Sequence, residues 1–349
     1  MDKQVLADKY LGCILGAAAG DAMGAPTETK STGQIAAIWG GRVCDFQMPP
    51  TDVPARGRTK GQVTDAFSIP YILTKHLLAN DGRVSRNLAS AALKEWGQSE
   101  WFEPFAGMTT RKVVNRLNQD DSISVWGYAG HLGNKLFKGH YYALSSNGAA
   151  VKAFPASLLH PGDINATVND TVELTLASHD DPISISGACA VSAAISAACK
   201  EQANIYDMTV AALDGARSGD SLARAYKDIW VYPGPSVIDR LQMAIEIAVK
   251  KGNAAMSDIR DLIGSGPAIA ETVPAAFGLL IAHGGQVLPA LYDAVNIGDE
   301  TAAIASLVGA LGGALQGVEA FPDYYLPLLN SANGFDLQQQ ARQLFYLVN

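Results

Sequence analysis

The chain has 349 residues, of which 48% are hydrophobic and 17% charged, enough apolar material for a sizeable core and too much for a disordered polymer. A net charge of −8 argues against the basic surface that non-specific nucleic-acid binding needs, although a locally positive pocket for a small anion stays open. No apolar run reaches the roughly eighteen residues of a membrane span. The N-terminal residues lack a basic, then apolar, then cleavable leader pattern, so a cytoplasmic location is expected. The cysteines Cys13, Cys44, Cys189 and Cys199 form no CxxC pair and no zinc-like cluster with histidine.

Helical periodicity begins at once. Leu11, Ile14, Leu15 and Ala18 fall at i, i+3, i+4 and i+7, one face of a helix. Gly12, Gly16, Gly20 and Gly24 recur every four residues and present a smooth ridge to a neighbour. The helix should break at Gly24-Ala25-Pro26, leaving Glu28 on the following loop. There it is either a surface glutamate or a carboxylate placed for general-base work or electrostatic stabilisation. Residues 40–60 read as a loop. Thr64 or Ser68 is a candidate cap for a helix over 70–79, with Pro70 favouring Ser68. Thr64 and Asp65 either only start that helix or supply hard oxygens to a divalent cation.

Residues 101–168 are rich in glycine and proline and read as a long, functional loop region. Ser145, Ser146, Asn147 and Gly148 lead into Lys152; this is a plain turn or a phosphate-holding helix start. His179 precedes Asp180, Asp181 and Pro182 at another helix start, where a histidine serves as structural donor, cap or catalyst. Further helices are expected over 187–199, 206–217, 239–249 and 335–347. The last acidic segment, Asp299 and Glu300, enters a helix marked by Ile304, Leu307, Val308, Leu311 and Leu315. Asp299 can cap it, and acids suit its first turn. No linker or tandem repeat divides the chain, so a single helical domain over 1–349 is expected.

In order, these pieces form GxxxGxAxGDAxGxPxE from Gly12 to Glu28, Thr64-Asp65, Asn147-Gly148-Ala149-Ala150, His179-x-x-Pro182, Glu271-Thr272-x-Pro274 and AVNxG from Ala294 to Gly298. The order resembles the ADP-ribosylglycohydrolase family over about residues 10–317. The resemblance implies a compact, all-α orthogonal helical bundle. It also implies hydrolysis of a ribosyl N- or O-glycosidic bond in an ADP-ribosyl or related nucleoside-type substrate, assisted by two Mg²⁺ ions. By position, Glu28 and Asp65 are the catalytic candidates. Thr64, Asp65 and Glu300 are the metal ligands. Ser146, Asn147, Gly148 and His179 are the substrate contacts. The expected partner is a small-molecule or ADP-ribosylated substrate, with no nucleic acid and no membrane.

The carry-over is incomplete. Ala66 stands where the second aspartate of a Thr-Asp-Asp motif belongs. Ala302 and Ala303 take the aspartate and threonine places that end Asp-x-Asp-Thr. Alanine offers no side-chain oxygen to a hard cation, so one Mg²⁺ or none is expected. Three accounts follow: a divergent enzyme, a silent protein that binds ADP-ribose or a nucleoside or has a structural role, or engineered alanines.

Overall fold

The computed structural model describes residues 3–119, 145–226, 229, 231 and 233–348. Among the described residues the chain forms helices and turns and no strand; Ser146 and Ala268 make an isolated antiparallel bridge. The protein is all-α. No described helix is long and apolar enough to cross a membrane. The helices that position the site are α1 (Lys3–Gly24), α2 (Asp65–Ala79), α3 (Gly148–Val151), α4 (Pro182–Ala198), α5 (Ile205–Ala225), α6 (Ile269–Ala282) and α7 (Thr301–Gln316).

The frame is the antiparallel pair α1 and α7. From Gly12 to Gly24 every residue of α1 is buried, so the helix carries apolar or small residues on all sides. The glycine ridge explains how it fits. A Cβ built on Gly16 would lie 2.0 Å from the carbonyl oxygen of Gly309, and one on Gly309 would lie 1.9 Å from that of Gly16. Gly12 meets Gly313 and Gly20 meets Ala305 in the same way. A glycine inside a helix costs about 1 kcal/mol relative to alanine. Here that cost is offset by backbones close enough that no side chain fits between them. The register sets the C-terminal end of α1 against the N-terminal end of α7. Helices α4 and α5 repeat the device, with Gly215 against the Cys189 carbonyl and Gly219 against that of Ile185.

The main apolar core draws on residues from Leu6 to Phe345, so both ends of the chain contribute to it. Each expected helix appears, usually a few residues longer, and residues 40–60 remain irregular. The 101–168 region differs. It holds helices Phe102–Phe105, Met108–Gln119 and α3, then Phe154–Leu159 and the start of Ile164–Leu176; residues 120–144 of the expected loop lie outside the described residues. Glycine and proline count against a helix, yet Pro155 lies in the first turn of Phe154–Leu159 and Gly148 opens α3, places where a helix tolerates them. Helix Ile164–Leu176 buries Thr167, Thr171 and Thr175 beside Val168, Val172 and Leu176. Thr171 satisfies its hydroxyl inside the fold, donating to the Thr167 carbonyl (2.7 Å) and pairing with Ser192 Oγ (2.8 Å).

Candidate functional site

The site begins with a residue to which sequence reasoning gave no role. Asp21 lies in the last turns of α1, fully buried. Its carboxylate accepts from Thr64 N (2.8 Å), Thr64 Oγ1 (2.6 Å) and Phe67 N (2.8 Å). It therefore satisfies donors at the start of α2 that have no partner within the helix. Thr64 is the N-cap, its hydroxyl accepting weakly from Ala66 N at 3.4 Å. Ser68 is not the cap: it sits inside the helix and accepts from Trp96 Nε1 at 2.9 Å. Pro70 is likewise internal. An acid surrounded by alanine and glycine in a fully buried helix was the available signal, because a buried carboxylate must find donors.

Glu28 lies past the end of α1, on a turn tied to the start of α7. Thr29 N donates to Asp299 O (2.9 Å), and Asp299 N returns to Lys30 O (3.0 Å). Thr301 Oγ1 donates to Gly24 O (2.9 Å), and Thr27 Oγ1 reaches Val295 O (2.7 Å). Asp299 does not cap α7. Its backbone is left-handed, at φ 61°, and Glu300 holds the cap position without a side-chain capping bond. The Glu300 carboxylate instead accepts from Asn147 Nδ2 at 3.0 Å.

That bond brings in the third segment. Asn147 N donates to Pro267 O and Ile269 N to Ser145 O, both at 2.9 Å, so the 145–148 loop is stitched to the start of α6. The Asn147 N–H is thereby used, while Gly148 is the first residue of α3, where an N–H lacks a partner within the helix. Ser146 Oγ lies 2.8 Å from His179 Nε2. His179 itself is fully buried. Asp181, not His179, caps α4, accepting from Ser184 N at 2.9 Å.

The carboxyls feel one another. Burial raises Glu28 well above the usual carboxylate range, reinforced by the charges of Glu300, Asp65, Asp21 and Asp299 in that order. Burial pushes Asp65 up to about 8, with Asp21 and Glu300 adding to it, and pushes Asp21 to about 7 against the pull of its hydrogen bonds. Burial also raises Glu300, opposed by the bond from Asn147. The fold thus gathers Glu28, Thr64, Asp65, Glu300, Asn147, Ser146, Gly148 and His179 around one centre. Such a cluster cannot be fully ionised near neutrality and holds protons to give and accept.

The donors do not fit a pair of hard cations. Ala66 (4% exposed) and Ala303 (7%) belong to the apolar core, and Ala302 is buried too. The Thr64 hydroxyl donates to Asp21, and one Glu300 oxygen is bonded to Asn147. Among the described residues no group of three or more His, Cys, Asp and Glu side chains is placed to hold a metal ion.

Comparison with known proteins agrees with the motif order. Residues 2–348 match the family model described as ADP-ribosylglycohydrolase. The chain is 24% identical over 346 residues to an uncharacterized protein of Escherichia coli, YegU, covering 97% of this chain and 96% of that protein. It is 26% identical over 308 residues to an uncharacterized protein of Archaeoglobus fulgidus, covering 88% of this chain and 87% of that one. A solved structure described as an ADP-ribosylglycohydrolase-related protein complex superposes with a TM-score of 0.67 at 18% identity, over 99% of this chain and 100% of that chain. At that identity the likeness is one of fold.

Proposed function

The chain belongs to the ADP-ribosylglycohydrolase family, and from that premise we propose that it hydrolyses a ribosyl N- or O-glycosidic bond in an ADP-ribosyl or related nucleoside-type substrate. The observation that carries the reading is the carboxyl cluster of Glu28, Asp65 and Glu300. Glycosidic cleavage passes through an oxocarbenium-like state. It needs one carboxyl that is still protonated to give the leaving group a proton, and one carboxylate to take a proton from water. Glu28, raised by burial and by the charges of Glu300, Asp65, Asp21 and Asp299, is the general acid/base. Asp65 positions the attacking water. Ser146 and Gly148 present donors to the phosphate part of the ligand.

Ala66 and Ala303 in the apolar core favour a second reading, a silent binder of ADP-ribose or a nucleoside. Mass spectrometry of products separates the two. The panel is ADP-ribosyl-arginine and ADP-ribosyl-serine peptides, O-acetyl-ADP-ribose, ADP-ribose and simple nucleosides. Release of ribosyl product that drops at least about a hundredfold in Glu28→Gln and Asp65→Asn supports the hydrolase. Micromolar ADP-ribose binding with no turnover of any compound supports the binder.

A further inference from the structure

Behind Ser146 runs a buried chain of polar groups that the hydrolytic chemistry above does not use. Lys152 follows α3 and is 3% exposed. Its hydrogen bonds go to the Ser178 hydroxyl and to His179 Nδ1, the latter at 3.3 Å, rather than to a carboxylate. Ser178 Oγ lies 2.8 Å from the same Nδ1, and the other ring nitrogen, Nε2, lies 2.8 Å from Ser146 Oγ.

The donor count decides which ring nitrogen carries the proton. An ammonium has only donors, a hydroxyl has one, and a neutral imidazole has one donor and one acceptor nitrogen. Burial lowers Lys152 to about 7; below that pH it is an ammonium and can only donate to Ser178, so the Ser178 hydroxyl is free to give its own proton onward to Nδ1. Nδ1 then faces two donors and must accept. Burial and the Lys152 charge hold His179 far below its ordinary value, so a second ring proton is excluded near neutrality. The single ring proton lies on Nε2 and is donated to Ser146 Oγ. With that oxygen already accepting, the Ser146 hydroxyl proton is turned away from the histidine. Ser146 is partly exposed, whereas Ser145 and Ala149 on either side of the loop are buried.

We infer that Lys152 is a positioning residue: through Ser178 it fixes His179 as the Nε2–H tautomer and so makes the Ser146 hydroxyl a hydrogen-bond donor to a phosphate oxygen of the ligand. The phosphate rests on the substrate reading above; the tautomer does not. The chain of bonds also reaches the carboxyl cluster, because Asn147, next to Ser146, donates to Glu300. A donor at Ser146 Oγ favours an acceptor-rich ligand over a cationic one. The opposite tautomer would reverse Ser146, which would then give its proton to His179 as a nucleophile gives one to its base.

Nitrogen-15 NMR of the histidine-labelled full chain reads the tautomer directly, with His179→Gln assigning its signals among the six histidines. At about one pH unit below the Lys152 value of about 7, where the lysine is an ammonium, the expected result is a protonated Nε2 and an unprotonated Nδ1. Lys152→Met is expected to mix the tautomers and to weaken ADP-ribose binding, read by calorimetry, about tenfold. Ser178→Ala removes the 2.8 Å donor and leaves only the longer 3.3 Å contact from Lys152 to Nδ1, so it is expected to loosen the tautomer in the same direction by a smaller amount, and the test survives if Lys152→Met misfolds. A protonated Nδ1 in the unmutated chain overturns the inference. So does an unchanged tautomer in both variants. If the unmutated chain shows the Nε2–H tautomer but binds no ADP-ribose, the ligand reading fails while the assignment of Lys152 stands.

Discussion

Thr29 and Asp299 are both left-handed, at φ 65° and 61°, and are joined by a hydrogen bond of 2.9 Å from Thr29 N to Asp299 O. A β-branched residue in this region is a genuine outlier, and each of the two adjoins a site carboxylate, Glu28 or Glu300. Thr29 is the strained member, since aspartate visits this region more readily, and the bond ties the turn that carries Glu28 to the start of α7. Thr29→Gly keeps the backbone bond and relieves the left-handed strain, at the loss of the Thr29 Oγ1 bond to Glu28 O (2.6 Å). The fold should gain about 1 kcal/mol in urea unfolding, while hydrolysis falls several-fold because Glu28 is less confined. A loss of stability would show that the Thr29 side chain is not strained.

The α1–α7 contact itself tolerates no added carbon. Gly16→Ala and Gly309→Ala each place a methyl about 2 Å from a backbone oxygen, which only a shift of a whole helix can relieve. Each should cost about 3 kcal/mol, read as a lower urea midpoint. Gly33→Ala is the contrast. It lies in the helix Thr32–Trp39 with nothing within 4 Å of the added methyl, so it should be neutral or gain up to about 1 kcal/mol. Equal effects at the buried and open positions would refute the close-packing account.

Helix α1 was legible from its apolar face and from glycine at every fourth position, and α7 from the spacing of Ile304, Leu307, Val308, Leu311 and Leu315, because each is a pattern within one helix. The site was legible as separate segments, since Glu28, Asp65, Asn147 and Glu300 each stand at a helix end. Asp21 was not. Its partners Thr64 and Phe67 lie more than forty residues further along the chain, and nothing local announces them. Lys152 and Ser178 were hidden for the same reason. The capping roles offered to Ser68 and Asp299 failed because a cap depends on backbone angle. Asp299 is turned left-handed by its bonds to Thr29 and Lys30, and Thr64 is held at the cap by Asp21. Residues 101–168 read as loop from their glycines and prolines, although Pro155 stands in the first turn of Phe154–Leu159, where a missing N–H costs nothing.

The acids predict a pH dependence. Asp65 rises to about 8 and Asp21 to about 7, mainly by burial, from an ordinary value of 3.8. The folded chain therefore keeps protons that the unfolded chain releases above about pH 4. The stability these protons supply is complete below that pH and is lost as pH rises through 7 and 8. Scanning calorimetry should find that Asp65→Asn raises the Tm most near pH 8 and least near pH 5. Comparing the two chains cancels the opposite contribution of Lys152, whose ammonium is held down to about 7 by burial. A difference in Tm that is the same at every pH would mean that the Asp65 carboxyl is not perturbed.

The alanines predict how the site answers Mg²⁺. Thr64, Asp65 and Glu300 are the oxygen-bearing residues that the family resemblance offers as metal ligands, and two of them are already engaged with Asp21 and Asn147. Any single ion they hold should bind weakly and raise the Tm little. Ala66→Asp with Ala302→Asp and Ala303→Thr adds two carboxylates and a hydroxyl to a place that is now buried. Without metal the added charges have no partner, so this chain should be several kcal/mol less stable than its parent. Mg²⁺ then binds the folded state alone, and at a hundred times its dissociation constant it should return about 2.7 kcal/mol. The sign of the difference carries the argument. The triple variant should be the less stable chain in a chelator and should close the gap as Mg²⁺ is added, while the parent stays nearly flat. A saturable rise of the same size in the parent would show that its remaining oxygens already make a full metal site.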